Sequence, residues 1–305
     1  MKAVAAHDHP SISVEAAAGR LPERVSVVVP AYNEGAHIAP GIEHLRRVLD
    51  GTGWSFEIIV VDDGSADDTA RAAAGGGARV IQHRRNRGYG AALKTGIAAA
   101  EHPWILITDA DGTYPPEAIP SLLAASGHND MVVGARTGQT VKIPLVRRPA
   151  KWFLKQLASY LAGQELPDIN SGLRLMRRDL LEKYLHLLPS GFSFTTTITL
   201  ASACNRHDVE YVSIDYHARL GESKIRPWHA YEFTLLILRT IVFFNPLKVF
   251  IPLGAMIMAA GLVKFGYDVT QNNLSESAVF AMLTAMLFWA VGLLADQNSR
   301  IAMGR

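Results

Sequence analysis

The chain has 305 residues and a formal net charge of +2, so it carries no strong electrostatic footprint for nucleic acid, and we expect no nucleic-acid partner. Its single cysteine, Cys204, excludes an intrachain disulfide and is typical of a reducing compartment. Hydrophobic residues make up 49% of the sequence, which is high for a soluble protein because apolar residues are concentrated in the last quarter.

The first 23 residues show no apolar periodicity. They lack the basic start and apolar core that a signal peptide requires. We therefore expect residues 1–23 to form a flexible tail.

Apolar, β-branched runs alternate with helical patterns between residues 24 and 135. The predicted strands cover residues 24–30, 56–61, 78–82, 104–107 and 130–135. The predicted helices cover about 35–50, 66–74 and 87–100, and a further one starts at Pro115–Glu117. Ser65 and Asp68 have the spacing of a capping box for the second helix, and Gly75–Gly77 is interpreted as its end. This alternation predicts an α/β domain with a mostly parallel sheet.

Two common nucleotide-binding signatures do not occur in the sequence. No Gly-x-Gly-x-x-Gly follows the first strand, and there is no Gly-x-x-x-x-Gly-Lys-Ser/Thr loop. The sequence therefore argues against a dehydrogenase and against a P-loop nucleotidase.

Two carboxylates, Asp109 and Asp111, follow the fourth strand with one residue between them. Open α/β sheets bind ligands at the carboxyl ends of their strands. In an extended segment alternate side chains point to the same side, so both carboxylates can share one hard cation. Taken alone, the pair could equally be an acidic turn without a ligand.

Four motifs occur in order along the predicted domain: VVVPAYNE at 27–34, VVDDGSADDT at 60–69, RNRGYGAALKTGI at 85–97 and ITDADGTYPPE at 107–117. They are followed by GAR at 134–136, DINSGLRLMRRD at 168–179 and RLGESK at 219–224. Together these motifs resemble the family 2 glycosyltransferases, and among them the polyprenyl-phosphate sugar synthases typified by dolichyl-phosphate mannose synthase. The resemblance covers residues 24–226 and implies a GT-A fold, which is Rossmann-like with a mostly parallel sheet.

The resemblance also implies roles for individual residues. The donor nucleotide is expected to contact Pro30, Tyr32, Glu34, Asp63, Ala110 and Arg136. A Mg²⁺ or Mn²⁺ ion is expected on Asp109 and Asp111, which form the catalytic group together with Arg219 and Lys224. The acceptor phosphate or the membrane surface is expected to meet Arg147, Arg148, Lys151, Ser171 and Arg174. For Arg219 and Lys224 a solvated loop is the alternative, and Gly88 and Gly90 could be plain turn glycines.

One position departs from the family pattern. Mannose synthases often carry Gln two residues after the second Asp, where it helps to hold the metal. This chain has Thr113 there. We include Thr113 as a third and weaker metal ligand, and the donor sugar stays open.

Two apolar stretches near the end, at about 246–267 and 277–296, each approach the roughly 20 residues that cross a bilayer. Arg239 and Lys248 precede the pair and Arg300 and Arg305 follow it, whereas the connection at 267–276 has no Lys or Arg. The positive-inside rule then predicts a protein of the inner or plasma membrane whose catalytic domain and both termini are cytoplasmic. The alternative is a buried helical hairpin in a soluble protein.

The predicted organisation is therefore a tail at 1–23, a catalytic domain at 24–226, an amphipathic interfacial helix at 227–245 and two transmembrane helices within 246–305. Residues 142–161 form a second basic and aromatic segment. It is either a membrane-surface helix or a docked helix with a solvated face. The run Phe192–Thr197 either lines a sugar or acceptor pocket or starts a helix that Ser193 caps.

The leading functional prediction is a membrane-anchored inverting glycosyltransferase. It would move a sugar of the mannose, glucose or GlcNAc class from a nucleotide-sugar to dolichyl or undecaprenyl phosphate. The alternatives are transfer to a hydroxyl of a lipid or polysaccharide, and a degenerate domain that serves as a membrane scaffold. A nucleotidyltransferase fits the motifs at 27–34 and 168–174 poorly, and homo-oligomerisation stays open.

The choice of acceptor decides whether a catalytic base is needed. A phosphate monoester has a second pKa near 6, so polyprenyl phosphate is mostly a dianion at neutral pH and has no proton to remove. A hydroxyl acceptor would require a general base. Asp168 is the isolated acidic candidate downstream, and we predict that it is structural and orders the turn before Ser171 and Gly172.

Overall fold

The computed structural model describes residues 23–137, 156, 158–160, 162–216, 235, 238–240, 242–272 and 275–302. Its centre is a seven-stranded sheet in the order β3-β2-β1-β4-β6-β5-β7. The strands are β1 (Arg24–Ala31), β2 (Ser55–Asp62), β3 (Arg79–Gln82), β4 (Trp104–Ile107), β5 (Met131–Ala135), β6 (Arg174–Arg177) and β7 (Val209–Ser213). Neighbouring strands are parallel except where β6 pairs with β4 and β5. The prediction of a mostly parallel sheet is confirmed.

Helices cover both faces of this sheet. They are α1 (Ile38–Asp50), α2 (Thr69–Gly75), α3 (Tyr89–Ala99), a 3₁₀ turn (Pro116–Ala118) that leads into α4 (Ile119–Ala124), α5 (Arg178–Tyr184) and α6 (Phe194–Cys204). In β1, Val27 and Val29 pack in the cluster on one face with residues of α1 and α4. Val28 packs in the cluster on the other face with residues of α3 and α6. From Val27 to Ala31 the strand is apolar because both of its faces are buried.

The structure differs from the predicted elements at the start of α2, at α5, which was not predicted, and at β7. The predicted capping box is wrong, because α2 begins only at Thr69 and the Ser65 hydroxyl accepts a hydrogen bond from the Asn33 amide at 2.9 Å instead. Strand β7 was not predicted. It lies at the edge of the sheet, and its residues are exposed or half-buried, so the apolar run that marks the inner strands is missing.

The last part of the chain forms a pair of long apolar helices, α7 (Leu247–Thr270) and α8 (Glu276–Ala302). Their buried residues recur every seven positions. They are Gly254, Gly261 and Asp268 in α7, and Ala278, Ala285, Gly292 and Ser299 in α8, and all except Asp268 are small. Small residues let helix backbones approach closely inside a membrane. Trp289 adds a hydrogen bond from its indole nitrogen to the Ile251 carbonyl at 3.2 Å.

Both helices are long and apolar enough to span a bilayer, with mean hydropathies of 1.8 and 2.2. Only 11% and 17% of the residues in their most apolar windows are buried, so the pair is not the core of a soluble domain. The predicted transmembrane hairpin is confirmed, and its helices run a few residues longer than the predicted spans.

The start of the hairpin packs on the α/β domain. The Lys248 ammonium donates to the Tyr160 carbonyl at 3.4 Å. Val249 packs against a small cluster that includes Leu166 and Leu200. Just before α7, the Phe244 ring meets the Tyr184 ring edge to face, with centroids 6.0 Å apart. The predicted domain boundary at residue 226 and most of the basic segment at 142–161 lie outside the described residues.

Candidate active site

The site is built at the carboxyl ends of β1, β2 and β4, where three connections meet. After β4, Asp109 accepts a hydrogen bond from the Tyr89 hydroxyl, 2.9 Å from its Oδ1. Asp111 accepts from both the amide and the hydroxyl of Thr113, at 3.1 and 2.7 Å. Gly112, between Asp111 and Thr113, has a φ of 68°, a left-handed conformation that suits glycine in this tight turn. Thr113 itself is buried.

The connections after β1 and β2 are joined by four hydrogen bonds. The amides of Asn33, Glu34 and Gly35 donate to Ser65, Thr69 and Asp67, and the Ala66 amide donates back to the Asn33 side chain. Hydrogen bonds from Thr69 and from the Gly35 amide hold the pKa of Asp67 below its ordinary value. Tyr32 lies in this connection with 48% of its surface exposed, whereas Pro30 is buried within β1. The motifs at 27–34 and 60–69 thus form one linked structure.

Asp63 is almost completely buried beside this structure. Its carboxylate accepts hydrogen bonds from the Arg87 and Gly88 amides at 2.9 and 2.8 Å. It also contacts His83 Nδ1 at 2.6 Å, and the other nitrogen of that ring lies 2.9 Å from the Thr95 hydroxyl. Asp63 therefore fixes the segment that leads into α3, a task that the resemblance did not imply.

Arg136 and Asp168 form a two-pronged ion pair. Arg136 Nε lies 2.7 Å from Asp168 Oδ2, and its Nη2 lies 2.9 Å from Oδ1. Burial alone would raise the pKa of Asp168, but the hydrogen bonds and charge of Arg136 outweigh it and leave the pKa below its ordinary value. The guanidinium also lies 5.3 Å from the centre of the Tyr216 ring. The structure agrees with a structural role for Asp168.

Two of the residues expected at the acceptor or membrane surface are inside the protein. Arg174 and Ser171 have no exposed surface, so their expected surface position is wrong. Arg174 lies on β6, in the middle of the sheet. Its guanidinium donates to the Ser171 carbonyl, the Thr195 carbonyl and the Thr199 hydroxyl. Burial lowers the pKa of Arg174.

The contacts of Arg174 also bear on the two alternatives for the run Phe192–Thr197. Thr195, Thr196 and Thr197 lie in the first turn of α6 and are buried. Ser193 occupies the position before the helix without a side-chain cap. Thr195 supports Arg174 through its carbonyl, so Thr195–Thr197 start a helix, whereas Phe192 is exposed and its ring stacks on that of Tyr89. Arg147, Arg148, Lys151, Arg219 and Lys224 lie outside the described residues.

Sequence reasoning missed three contributors to this site. Tyr89 occurs in the RGYG motif, where only the glycines were considered. Tyr114 accepts a hydrogen bond from the Gly172 amide at 2.6 Å, and its pKa is raised to about 12, mainly by burial. His83 is marked by no motif, and its contact with Asp63 spans 20 residues of sequence. The tyrosines of two quoted motifs, Tyr89 in RGYG and Tyr114 in ITDADGTYPPE, were the signals available.

The carboxylate pair after β4 suits a hard cation. Carboxylates at Asp109 and Asp111 are the oxygen ligands that Mg²⁺ and Mn²⁺ prefer. Among the described residues no group of three or more His, Cys, Asp or Glu side chains could enclose a metal alone. An ion at this position would therefore complete its shell with ligand oxygens and water, as Mg²⁺ commonly does with substrate phosphates.

Comparison with known proteins identifies the class. Residues 26–185 match glycosyl transferase family 2, and residues 245–301 match the GtrB C-terminal hairpin. The dolichyl-phosphate hexose transferase of Haloferax volcanii is 32% identical over 206 residues, which are 67% of this chain and 87% of that protein. The chain belongs to glycosyl transferase family 2, and it is a glycosyltransferase.

Solved structures agree on the fold. Glucosyl-3-phosphoglycerate synthase from Mycobacterium tuberculosis, in complex with Mn²⁺, UDP and phosphoglyceric acid, is 24% identical with a TM-score of 0.57, over 73% of this chain and 78% of that one. The same enzyme with Mn²⁺, UDP and glucosyl-3-phosphoglycerate is 26% identical with a TM-score of 0.55, over 73% and 80%. The predicted GT-A fold is confirmed.

Proposed function

We propose that this protein transfers a sugar from a nucleotide-sugar to a polyprenyl phosphate at a membrane, with inversion at the sugar C1. The observation that carries the proposal is the union, in one chain, of the paired carboxylates after β4 with an apolar hairpin that packs on the same domain. The Haloferax volcanii relative is a dolichyl-phosphate hexose transferase, which supports this acceptor class.

Asp109 and Asp111 would hold Mg²⁺ or Mn²⁺ against the diphosphate of the donor. When bound, such an ion neutralises the negative charge that develops on the leaving diphosphate. The Mn²⁺ and UDP present in the Mycobacterium tuberculosis enzyme support this choice of ion and donor class. Thr113 is better suited to support Asp111 than to be a ligand, because its hydroxyl is buried and donates its proton to that carboxylate.

The linked connections after β1 and β2 would receive the nucleotide. Pro30, Tyr32, Glu34 and Ala110 line or adjoin the carboxyl edge of the sheet, where ligands bind in open α/β folds. The exposed Tyr32 ring offers an apolar face to a base or ribose. For Asp63 we propose an indirect part, because its carboxylate already receives the Arg87 and Gly88 amides and His83.

The acceptor phosphate would attack C1 directly as a dianion while the bond from C1 to the diphosphate breaks. No base is needed, and Asp168 is a poor candidate for one because Arg136 engages both of its oxygens. Arg219, Lys224, Arg147, Arg148 and Lys151 are the proposed partners of the acceptor phosphate and the membrane surface. Arginine can grip phosphate oxygens in pairs, and lysine supplies a point charge.

We also propose that the catalytic domain and both termini face the cytoplasm, because the basic residues flank the hairpin on its two open ends and are missing from its connection. The proposed units are the tail at 1–23, the domain at 24–226, an interfacial segment at 227–245 and the hairpin at 246–305.

The deciding experiment uses the full chain in detergent. GDP-mannose, UDP-glucose and UDP-GlcNAc are each incubated with undecaprenyl or dolichyl phosphate, with Mg²⁺, Mn²⁺ or EDTA, and products are identified by mass. We expect one donor to give a prenyl-phosphate sugar, and EDTA to stop its formation. Transfer only to the matching prenyl alcohol would favour a hydroxyl acceptor. If none of the three donors gives a prenyl-phosphate sugar under any condition, the proposal fails.

A further inference from the structure

We infer that Asp109 is held in its metal-binding orientation by two positioning residues, Tyr89 and Gly172, one beside each carboxylate oxygen. The inference rests on the proposed function, which assigns Asp109 to the metal. By this inference the buried Asp63 and Arg174 do not contact the substrate. Asp63 fixes the position of Tyr89, and Arg174 fixes the loop that contains Gly172.

The first contact comes from the start of α3. The Tyr89 hydroxyl donates to Asp109 Oδ1 at 2.9 Å. The Tyr89 ring is stacked on Phe192, with ring centroids 5.7 Å apart and an angle of 17° between the ring planes. Since one carboxylate oxygen is held by the phenol, rotation of the Asp109 carboxylate would break this hydrogen bond.

Asp63 holds the backbone that carries Tyr89. Its two oxygens accept the amides of Arg87 and Gly88, the residues immediately before Tyr89. The turn is tightly packed and excludes a side chain at Gly88, because a Cβ there would lie 2.7 Å from the Ser190 carbonyl oxygen. Asp63 therefore acts on Asp109 through the position of Tyr89.

The second contact comes from the loop before β6. A Cβ added to Gly172 would lie 2.7 Å from Asp109 Oδ2 and 3.0 Å from its Cγ, so only glycine leaves the carboxylate where it is. The Gly172 amide donates to the Tyr114 hydroxyl at 2.6 Å. The preceding carbonyl, that of Ser171, accepts from Nε and Nη2 of Arg174 at 3.0 and 2.6 Å.

The position of Arg174 explains why a guanidinium is fully buried there. Burying a charge is costly unless it is well hydrogen-bonded. Arg174 recovers this cost through the Ser171 and Thr195 carbonyls and the Thr199 hydroxyl, so it ties the Gly172 loop to α6. The metal carboxylate is thus braced from two elements that are far apart in the sequence.

Side chains that orient a metal ligand commonly affect metal affinity by about 10–100-fold when they are removed. The test is therefore Mn²⁺ affinity, measured on the full chain in detergent by the electron paramagnetic resonance signal of free Mn²⁺. UDP or GDP is present at a fixed concentration, and a protein-free titration with the same nucleotide corrects for the Mn²⁺ that the nucleotide itself binds. We expect Tyr89→Phe to weaken Mn²⁺ binding by at least about fivefold, with unchanged circular dichroism.

Tyr184→Phe is the matched control. It removes a hydroxyl that lies 3.0 Å from His207 Nε2, away from the carboxyl edge of the sheet. Tyr184 is buried, and its substitution should leave Mn²⁺ affinity unchanged. Gly172→Ala is the second variant and should weaken Mn²⁺ binding at least as much. Its control is Gly127→Ala, where an added Cβ meets nothing within 4 Å.

The outcomes separate this inference from the proposed function. If the unmodified chain binds Mn²⁺ and both Tyr89→Phe and Gly172→Ala bind it equally well, the positioning roles are wrong and the metal site stands. If the unmodified chain binds no Mn²⁺ with either nucleotide, the metal assignment of the proposed function is wrong, and the inference falls with it.

Discussion

Asp111 and Asp109 are two residues apart but have different surroundings. Asp111 is supported locally, by the amide and hydroxyl of Thr113 within its own turn. Asp109 is supported from a distance, by Tyr89. A short motif can therefore predict the first arrangement, and only the folded sheet brings about the second.

Asp111→Asn tests the charge on the metal separately from the fold. Asn keeps the shape and one oxygen for Thr113, so the thermal midpoint should change little. Transfer should fall by at least about 100-fold, because a ligand charge that stabilises the leaving group is lost. Rates with Mg²⁺ and Mn²⁺, together with melting curves, check this. Near-normal transfer at ordinary Mg²⁺ concentrations would contradict the metal assignment.

The ion pair of Arg136 and Asp168 predicts an acid-sensitive contribution to stability. The pKa of Asp168 in the fold is below its ordinary value of 3.8. Its carboxylate therefore stabilises the fold at pH values above 3.8, and this contribution is lost as the pH falls through the lower folded value. Asp168→Asn should melt at a lower temperature than the unmodified chain at pH 7, and the difference should begin to narrow only below pH 3.8.

The size of that effect lies between two reference cases. Exposed pairs contribute about 0–1 kcal/mol, and breaking a buried pair costs about 3–5 kcal/mol. With side chains 17% and 8% exposed, this pair is closer to the buried case.

Transfer by the folded Asp168→Asn variant should stay within about tenfold of that by the unmodified chain. A loss of several thousandfold with intact folding and donor affinity would show that Asp168 is a base.

At the scale of elements, the start of α3 depends on glycine. A Cβ on Gly90 would collide with the Pro189 carbonyl oxygen and come within 2.8 Å of the Gly191 carbonyl oxygen. Gly90 is buried, and the neighbouring Ala91 amide donates to the Ser190 carbonyl at 3.0 Å. The loop before α6 and the first turn of α3 thus fit together through their backbones.

Gly90→Ala should therefore destabilise the domain and lower its melting temperature by several degrees. Gly41→Ala in α1 is the control, since its Cβ would meet nothing within 4 Å. Replacing glycine by alanine within a helix should stabilise by about 0.5–1 kcal/mol. If both variants melt like the unmodified chain, the close approach at Gly90 is not as tight as the structure indicates.

The elements that the sequence predicted well are those with a strong local pattern. Strands β1 and β2 are apolar on both faces, and α1 has one apolar face, so their existence follows from short windows. The place of β6 between β4 and β5 does not, because its antiparallel partners are Trp104–Ile107 and Met131–Val133, far away in sequence. The burial of Arg174 has the same cause, since a single arginine in a motif does not reveal the middle of a sheet.

At the scale of the whole molecule, the hairpin and the catalytic domain have separate cores joined at Lys248, Val249 and Phe244. Removing residues 246–305 should give a protein that needs less detergent and still binds the donor nucleotide. Transfer to long prenyl phosphates should fall sharply, whereas a short, water-soluble prenyl phosphate should be used with a smaller loss. Calorimetric donor binding and product mass check this. Equal losses with both acceptors would indicate that the hairpin supports the active site itself.

The outer surface of the hairpin has a kinetic consequence. Leu262, Val263, Leu287 and Leu294 are among the many large apolar side chains that face outwards from α7 and α8. A protein anchored by this hairpin meets a lipid acceptor by lateral diffusion within the bilayer or the detergent micelle. The mole fraction of the acceptor in that phase therefore sets the encounter rate. Adding detergent at constant enzyme, donor and acceptor should therefore slow transfer, although no reactant has changed its bulk concentration. The affinity for the donor should not change on the same dilution, because the donor binds from the aqueous phase.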